Sequence, residues 1–375
     1  MDICIVNIGF GLGGVERVAI ELANSLYKSN NKVTLIDFSG ENTFFYDVDK
    51  GIKKTSIIKK RKLKRKIIKR TLYFKYKLDR KTLHIIDLYK EQAKDLVEYL
   101  KYSNHEIVIL CQDSLTALVP TIKKEVPGIK VVAWQHNNYD VYVKNYCKEF
   151  VNDYLLGVKE ADLVVCLTKS DLEKFKKINY NACYIYNPLT LSHPKLSNLE
   201  NKNIIFVGRL NMEQKGLEYL IDIGKKLNED WRILIAGEGK DKEKFSNLIL
   251  NNNLENQIIL KGSLKDKELA DFYSSGSIFI STSRWEGFGL VITEAMASGL
   301  PVVSFNNLGP KEILDEGTYG VLIEKFDIEE FIVQLNLLML YKEKREYFQA
   351  KSIERSEFFS PQVILKQWVT RLSSL

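Results

Sequence analysis

The sequence predicts an α/β protein built from two Rossmann-like domains, each a doubly wound parallel sheet. Three observations carry this reading. Short Val- and Ile-rich runs, apolar throughout, alternate with segments of helical period; strands buried on both faces of a parallel sheet read this way. The alternation occurs twice, on either side of NPLTLSHPKLSNLENKN (187–203), which has two prolines and no periodicity. The 375 residues are too many for one ordinary core and suit two.

Strands are expected at 3–8, 32–38, 106–112, 130–136, 162–168 and 183–187, then at 203–208, 231–236, 257–261, 277–282, 301–305 and 320–324. Helices lie between them. In 15–26, Val15, Val18, Ala19, Leu22, Ala23 and Leu26 form one apolar stripe. A helix starting at Leu290 stops at Gly299, with Pro301 beyond. Near the end, Ser360 can cap a helix whose first residue is Pro361, with Val363, Ile364, Trp368 and Leu372 on one side. The expected division is one Rossmann-like domain at 1–190, a second at 191–355, and a helix at 356–375 that packs back on the first domain.

Composition removes several classes. A hydrophobic fraction of 45% with 27% charged residues is that of a soluble globular chain. Cys4, Cys111, Cys147, Cys166 and Cys183 are scattered, with no CxxC pair. Neither a disulfide framework nor a zinc site is expected, and a reducing, cytoplasmic setting is. The opening MDICIVNIGF reads as a buried strand rather than a signal peptide. No apolar run approaches the roughly 20 residues of a spanning helix. Positive charge is local: residues 53–81 hold fifteen Lys/Arg against Asp79 alone, so the rest of the chain is net negative.

Residues 9–14, GFGLGG, follow a strand and open a helix. Gly9, Gly11 and Gly14 fit GxGxxG, and Asp37 ends the next strand. That pattern fits a dinucleotide fingerprint and an NAD-dependent oxidoreductase. The physics is more general. Glycines let the backbone approach an anion, and the helix start directs its N–H groups and dipole at it. A tight strand–helix turn would need the same residues.

The second half is more informative. In VGRLNMEQKG, Arg209 and Lys215 follow a strand, where open α/β sheets bind ligands. Both could clamp a phosphate, or be ordinary solvated loop cations. Gly237 (IAGEG) and Gly262 (KGSL) end the next strands and permit close approach of a base and ribose. In RWEGFGLVITEAMASGLPVV, Gly287 and Gly289 free the N–H groups at a helix start, around Phe288 and Leu290, for a diphosphate. Glu286 precedes Glu294 by eight residues, about two helical turns. Both carboxylates can therefore face one cleft and accept hydrogen bonds from sugar hydroxyls.

The pieces GGVERVAIELANSL, VGRLNMEQKG, IAGEG, KGSL and RWEGFGLVITEAMASGLPVV, in that order, resemble family 4 of the retaining glycosyltransferases. The resemblance spans nearly the whole chain and is weakest over 40–105. It implies the GT-B fold, two Rossmann-like domains facing a cleft. It also implies transfer of a sugar from a nucleotide diphosphate, without metal or other cofactor. By that resemblance Arg209 and Lys215 neutralise the leaving diphosphate, Glu286 holds donor-sugar hydroxyls, and Glu294 binds the ribose. Backbone N–H groups of Phe288, Gly289 and Leu290 meet the diphosphate or sugar, and Gly13 and Gly14 line the cleft from the first domain. His136, in VVAWQHNN, matches the histidine that contacts the donor sugar; otherwise it is a structural residue. Front-face attack leaves no protein nucleophile to nominate. Asp47-Val48-Asp49 lies in a polar loop without the context of a DxD metal motif.

The expected partners are a nucleotide sugar, UDP-linked by preference, and a glycan or polyprenyl-lipid-linked acceptor of a bacterial capsule, lipopolysaccharide or wall polymer. In 53–81, Ile57, Ile58, Leu63, Ile67, Ile68, Leu72, Tyr73 and Phe74 interleave with the cations. That suits an interfacial helix on anionic lipid, placing the enzyme on the inner face of the membrane. A nucleic-acid patch is the rival, but no nucleic-acid fold accompanies it. A sugar-binding scaffold, an epimerase or a phosphorylase could share the architecture.

Overall fold

The computed structural model describes residues 1–59, 62–79 and 83–375, with backbone only at 62–64, 75, 77 and 79. Two compact units result: Met1–Pro188 with Pro361–Leu375, and Leu189–Ser360.

Among the described residues, the first unit builds a seven-stranded sheet from β1 (Asp2–Asn7), β2 (Lys32–Asp37), β3 (Lys53–Thr55), β4 (Ile107–Cys111), β5 (Lys130–Trp134), β6 (Leu163–Cys166) and β7 (Ala182–Tyr184). Their order is β3-β2-β1-β4-β5-β6-β7, and every pairing is parallel. The second unit orders β8 (Asn203–Val207), β9 (Arg232–Ala236), β10 (Ile258–Gly262), β11 (Ile278–Ser281), β12 (Val302–Phe305) and β13 (Val321–Ile323) as β10-β9-β8-β11-β12-β13, also parallel. Both are doubly wound orders, with topological switch points at β1/β4 and β8/β11.

Strand β3 escaped the sequence reading. It is three residues, Lys-Lys-Thr, on a sheet edge with both lysines exposed. Such a strand has no apolar pattern to read, and edge lysines discourage further pairing. It also corrects the reading of 53–81 as a single interfacial helix. The helix there is Lys62–Asp79; Ile58 is buried and Ile57 packs against the first unit's core. Lys60, Arg61, Arg80 and Lys81 of that segment lie outside the described residues.

Helix Gly14–Lys28 buries Val18, Ala19, Leu22, Ala23 and Leu26, with Glu16 in its first turn and Lys28 in its last, as the helix dipole favours. Beside it lies the terminal helix Pro361–Leu372. That helix buries Ile364, Trp368 and Leu372, whereas Val363 is exposed, off the stripe assigned to it. The Trp368 ring meets Trp134 edge-on at 4.9 Å and 71°. Emptying a buried Trp site to Ala costs about 3–5 kcal/mol, so this contact anchors the chain's end to β5.

Candidate functional site

In the second unit the site residues gather at the carboxyl ends of β8 and β11, on the switch point. The loop after β8 makes a short helix, Met212–Lys215, whose Asn211 cap accepts from Gln214 N. The loop after β11 is tied to it. Thr282 Oγ1 donates to the Lys215 carbonyl (2.8 Å), Arg284 N to the Gln214 carbonyl (2.8 Å) and Arg284 Nη1 to the Met212 carbonyl (3.0 Å). These bonds make one platform of two distant segments.

On that platform Lys215 Nζ donates to Glu286 Oε1, and Ser283 Oγ donates to the same oxygen at 2.6 Å. Both ion-pair side chains are about 10% exposed. Gly208 follows β8 directly, and a Cβ there would crowd Lys215 Cε at 3.3 Å. Arg209 differs. It is exposed and makes no side-chain hydrogen bond or ion pair among the described residues. The loop thus presents one buried, neutralised cation and one unengaged cation.

After Glu286 the chain turns into helix Leu290–Ala297, capped by Gly289 at φ +115°, a left-handed conformation that only glycine adopts without strain. The first N–H groups of such a helix have no intrahelical acceptor and point outward with the positive end of the dipole. Phe288 is buried and packs edge-on against Phe359 at 5.8 Å, while Gly287 and Leu290 are half-buried. Glu294 sits deep in this helix, 2% exposed. Its Oε1 accepts from Thr190 Oγ1 (2.7 Å) and its Oε2 from Tyr273 OH (2.9 Å). Lys215 and Ser283 thus hold one glutamate, and Thr190 and Tyr273 the other.

Gly237 and Gly262 close the strand ends beside β8. A Cβ on Gly237 would collide with the Gly208 carbonyl oxygen, and Gly237 N donates to the Gly262 carbonyl at 2.7 Å. Gly237 thus has a packing reason to be glycine. Gly262, at φ +73°, has room above it.

In the first unit, GFGLGG follows β1 at its own switch point. Asn7 pins it, donating to the Gly9 carbonyl (2.7 Å) and accepting from Gln112 Nε2 (3.1 Å). Gln112 stands just past β4 at φ +77°, an unusual backbone for a non-glycine residue. Gly13 caps helix Gly14–Lys28, and the Glu16 carboxylate occupies the space a Gly13 Cβ would need. Asp37 accepts from Ser39 N (2.8 Å), Ser39 Oγ (2.6 Å) and Asn42 N (2.8 Å), so its carboxylate organises its own loop.

His136 follows β5. Tyr142 OH accepts from the backbone N–H groups of His136 (2.9 Å) and Asn137 (3.2 Å), and Gln135 is held between Thr116 and Tyr154. The ring lies against Trp134 at 4.3 Å, and among the described residues both its nitrogens are buried without a hydrogen-bond partner. Burial pushes its pKa from 6.5 down to about 3, so the imidazole is neutral. A buried, unsatisfied donor and acceptor costs about 1–3 kcal/mol, which marks a place where a ligand would be welcome.

Sequence reasoning missed Ser283, Thr190, Tyr273, Gln112 and Asn7. Each is an ordinary polar residue that gains meaning only from a partner; Thr190 is 104 positions from Glu294. Among the described residues no group of three or more His, Cys, Asp or Glu side chains is placed to hold a metal ion. No helix among them is long and apolar enough to cross a membrane.

Comparison with known proteins adds to this geometry. Residues 190–355 match the family model described as glycosyl transferases group 1. The chain is 32% identical to an uncharacterized glycosyltransferase of Haemophilus influenzae, across 97% of each. It is 26% identical to the amylovoran biosynthesis glycosyltransferase AmsD of Erwinia amylovora, across 95% of each. Its fold resembles that of Anabaena HepE, crystallised with UDP-glucose, with a TM-score of 0.76 over 100% of each chain at 17% identity.

Proposed function

This chain belongs to the group 1 glycosyltransferases, and we propose that it transfers a sugar from a nucleoside diphosphate, UDP by preference, to a glycan or lipid-linked acceptor of a bacterial surface polysaccharide. The observation that carries the reading is the Lys215–Glu286–Ser283 cluster on the β8/β11 switch point, with exposed Arg209 on the same loop as Lys215. The AmsD relative supports the polysaccharide setting, and the UDP-glucose held by HepE supports the nucleotide.

Breaking the sugar–phosphate bond sends its electron pair to the diphosphate. Arg209, the remaining N–H donors of Lys215 and the first N–H groups of helix Leu290–Ala297 stabilise that charge. Glu286 accepts from sugar hydroxyls and Glu294 from the ribose. In the first unit, neutral His136 is assigned to the sugar and Gly13 and Gly14 to the phosphate or acceptor. The acceptor oxygen joins the anomeric carbon on the face the diphosphate leaves, retaining configuration, and its proton passes to the departing phosphate oxygen. No step in this scheme needs a metal.

Exposed Ile67, Phe74 and Leu78 on the basic helix support a peripheral seat on anionic lipid at the cytoplasmic face. Nothing in the site or the comparisons supports the oxidoreductase reading. The test is a panel of nucleotide sugars with mass detection of released nucleotide. One donor should be turned over, and Arg209→Ala with Lys215→Ala should remove turnover. Turnover that persists in that double variant would defeat the assignment.

A further inference from the structure

We propose that the basic helix Lys62–Asp79 walls a binding site for a phosphoryl group carried on an amphiphile. Identifying that ligand with the acceptor rests on the transferase reading; the site itself does not.

A cavity of about 720 Å³ opens within the first unit at the carboxyl ends of β1 and β2, with Ile8 and Ser39 on its rim. Ligands of open α/β sheets bind at such strand ends. Lys66, Lys69, Arg70 and Tyr73 line it from one face of the helix, at the three- and four-residue spacing that brings side chains together. Arg65 fixes the helix over the β2 loop, donating to the carbonyls of Ser39 (2.9 Å) and Lys59 (2.6 Å). Lys69 Nζ stands 3.7 Å from the centre of the Tyr89 ring. Lys66 and Arg70 make no side-chain hydrogen bond or ion pair among the described residues. Glu41 also faces the cavity. Cations gathered on one wall repel each other, and an anion between them relieves that repulsion. Phosphoryl oxygens suit both the guanidinium fork and the ammonium groups.

The second half of the ligand is read from Phe74. It lines the cavity yet is 65% exposed, in line with Ile67 (64%) and Leu78 (67%). At about 100° per residue, positions 67, 74 and 78 form one outward stripe, and 66, 69, 70 and 73 lie to one side of it. A phosphoryl head among the cations therefore has an apolar track leading away from it. A free sugar phosphate would leave the stripe unused, and a plain lipid surface would leave the cavity unused.

The experiment is calorimetric titration of the full chain, with UDP saturating so that the cations of the second unit are engaged. Geranyl pyrophosphate and inorganic pyrophosphate are the probes, and phosphatidylglycerol vesicles are tested by sedimentation. Geranyl pyrophosphate should bind at one site, and Lys66→Ala with Arg70→Ala should weaken it by about tenfold or more. Phe74→Ala should weaken geranyl pyrophosphate and leave inorganic pyrophosphate unchanged. UDP affinity should be the same in every variant. Wild-type affinity for geranyl pyrophosphate in the Lys66/Arg70 variant overturns the proposal. So does a variant that loses vesicles alone, because the cations would then serve a lipid surface. If no form binds UDP, the transferase reading fails, while titration without nucleotide still decides the cavity.

Discussion

Lys215 and Glu286, contributed by loops after two adjacent strands, neutralise each other with only about a tenth of each side chain exposed. Removing one partner of a buried pair leaves the other charge uncompensated, at a cost of about 3–5 kcal/mol. Lys215→Met should therefore lower unfolding free energy by that order in a urea titration. Adding Glu286→Leu should recover a substantial part of the loss, without restoring transfer. Strictly additive losses in the two single variants and the double would show that the pair is not coupled.

Gly237→Ala tests the strand-end packing around the same platform. Its methyl group would meet the Gly208 carbonyl, so the ends of β8 and β9 must shift. Backbone strain of this kind costs on the order of 1–3 kcal/mol. A lowered melting temperature together with weakened UDP binding is expected. An unchanged melting temperature would mean that the loop after β9 yields freely.

Most of the fold was legible in the sequence because parallel strands buried on both faces announce themselves as unbroken Val/Ile runs. Strand β3 was not, since Lys53, Lys54 and Thr55 take their conformation from pairing with β2 and not from any pattern of their own. The site divides the same way. Glycines 289 and 237, with Arg209, Lys215, Glu286 and Glu294, stand in short local motifs. That Lys215 would be neutralised by Glu286, and that Thr190 and Tyr273 would hold Glu294, depends on contacts across 71, 104 and 21 positions, which no window of sequence contains.

His136 gives a pH signature. Its folded-state pKa, about 3, lies below the ordinary 6.5. Between those values the unfolded chain takes up a proton that the folded chain refuses. Stability through this group is therefore full above about pH 7 and falls as pH is lowered through 6.5 toward 3. Between pH 7.5 and 5.5 the wild type should lose on the order of 1 kcal/mol more than His136→Asn. Parallel stability–pH curves for the two proteins would contradict a buried neutral imidazole.

Transfer should proceed undiminished in EDTA. Complete loss that a divalent ion restores would move diphosphate stabilisation from Arg209 and Lys215 to a metal.

Arg209 permits the cleanest test of the central claim. Because it is exposed and unbonded among the described residues, Arg209→Ala should leave the melting temperature of the free protein unchanged. UDP affinity, measured by titration on the same sample, should fall by about tenfold or more, the value of a charged hydrogen bond to a phosphate. Equal UDP affinity in wild type and variant would contradict the assignment of this strand-end platform to the nucleotide.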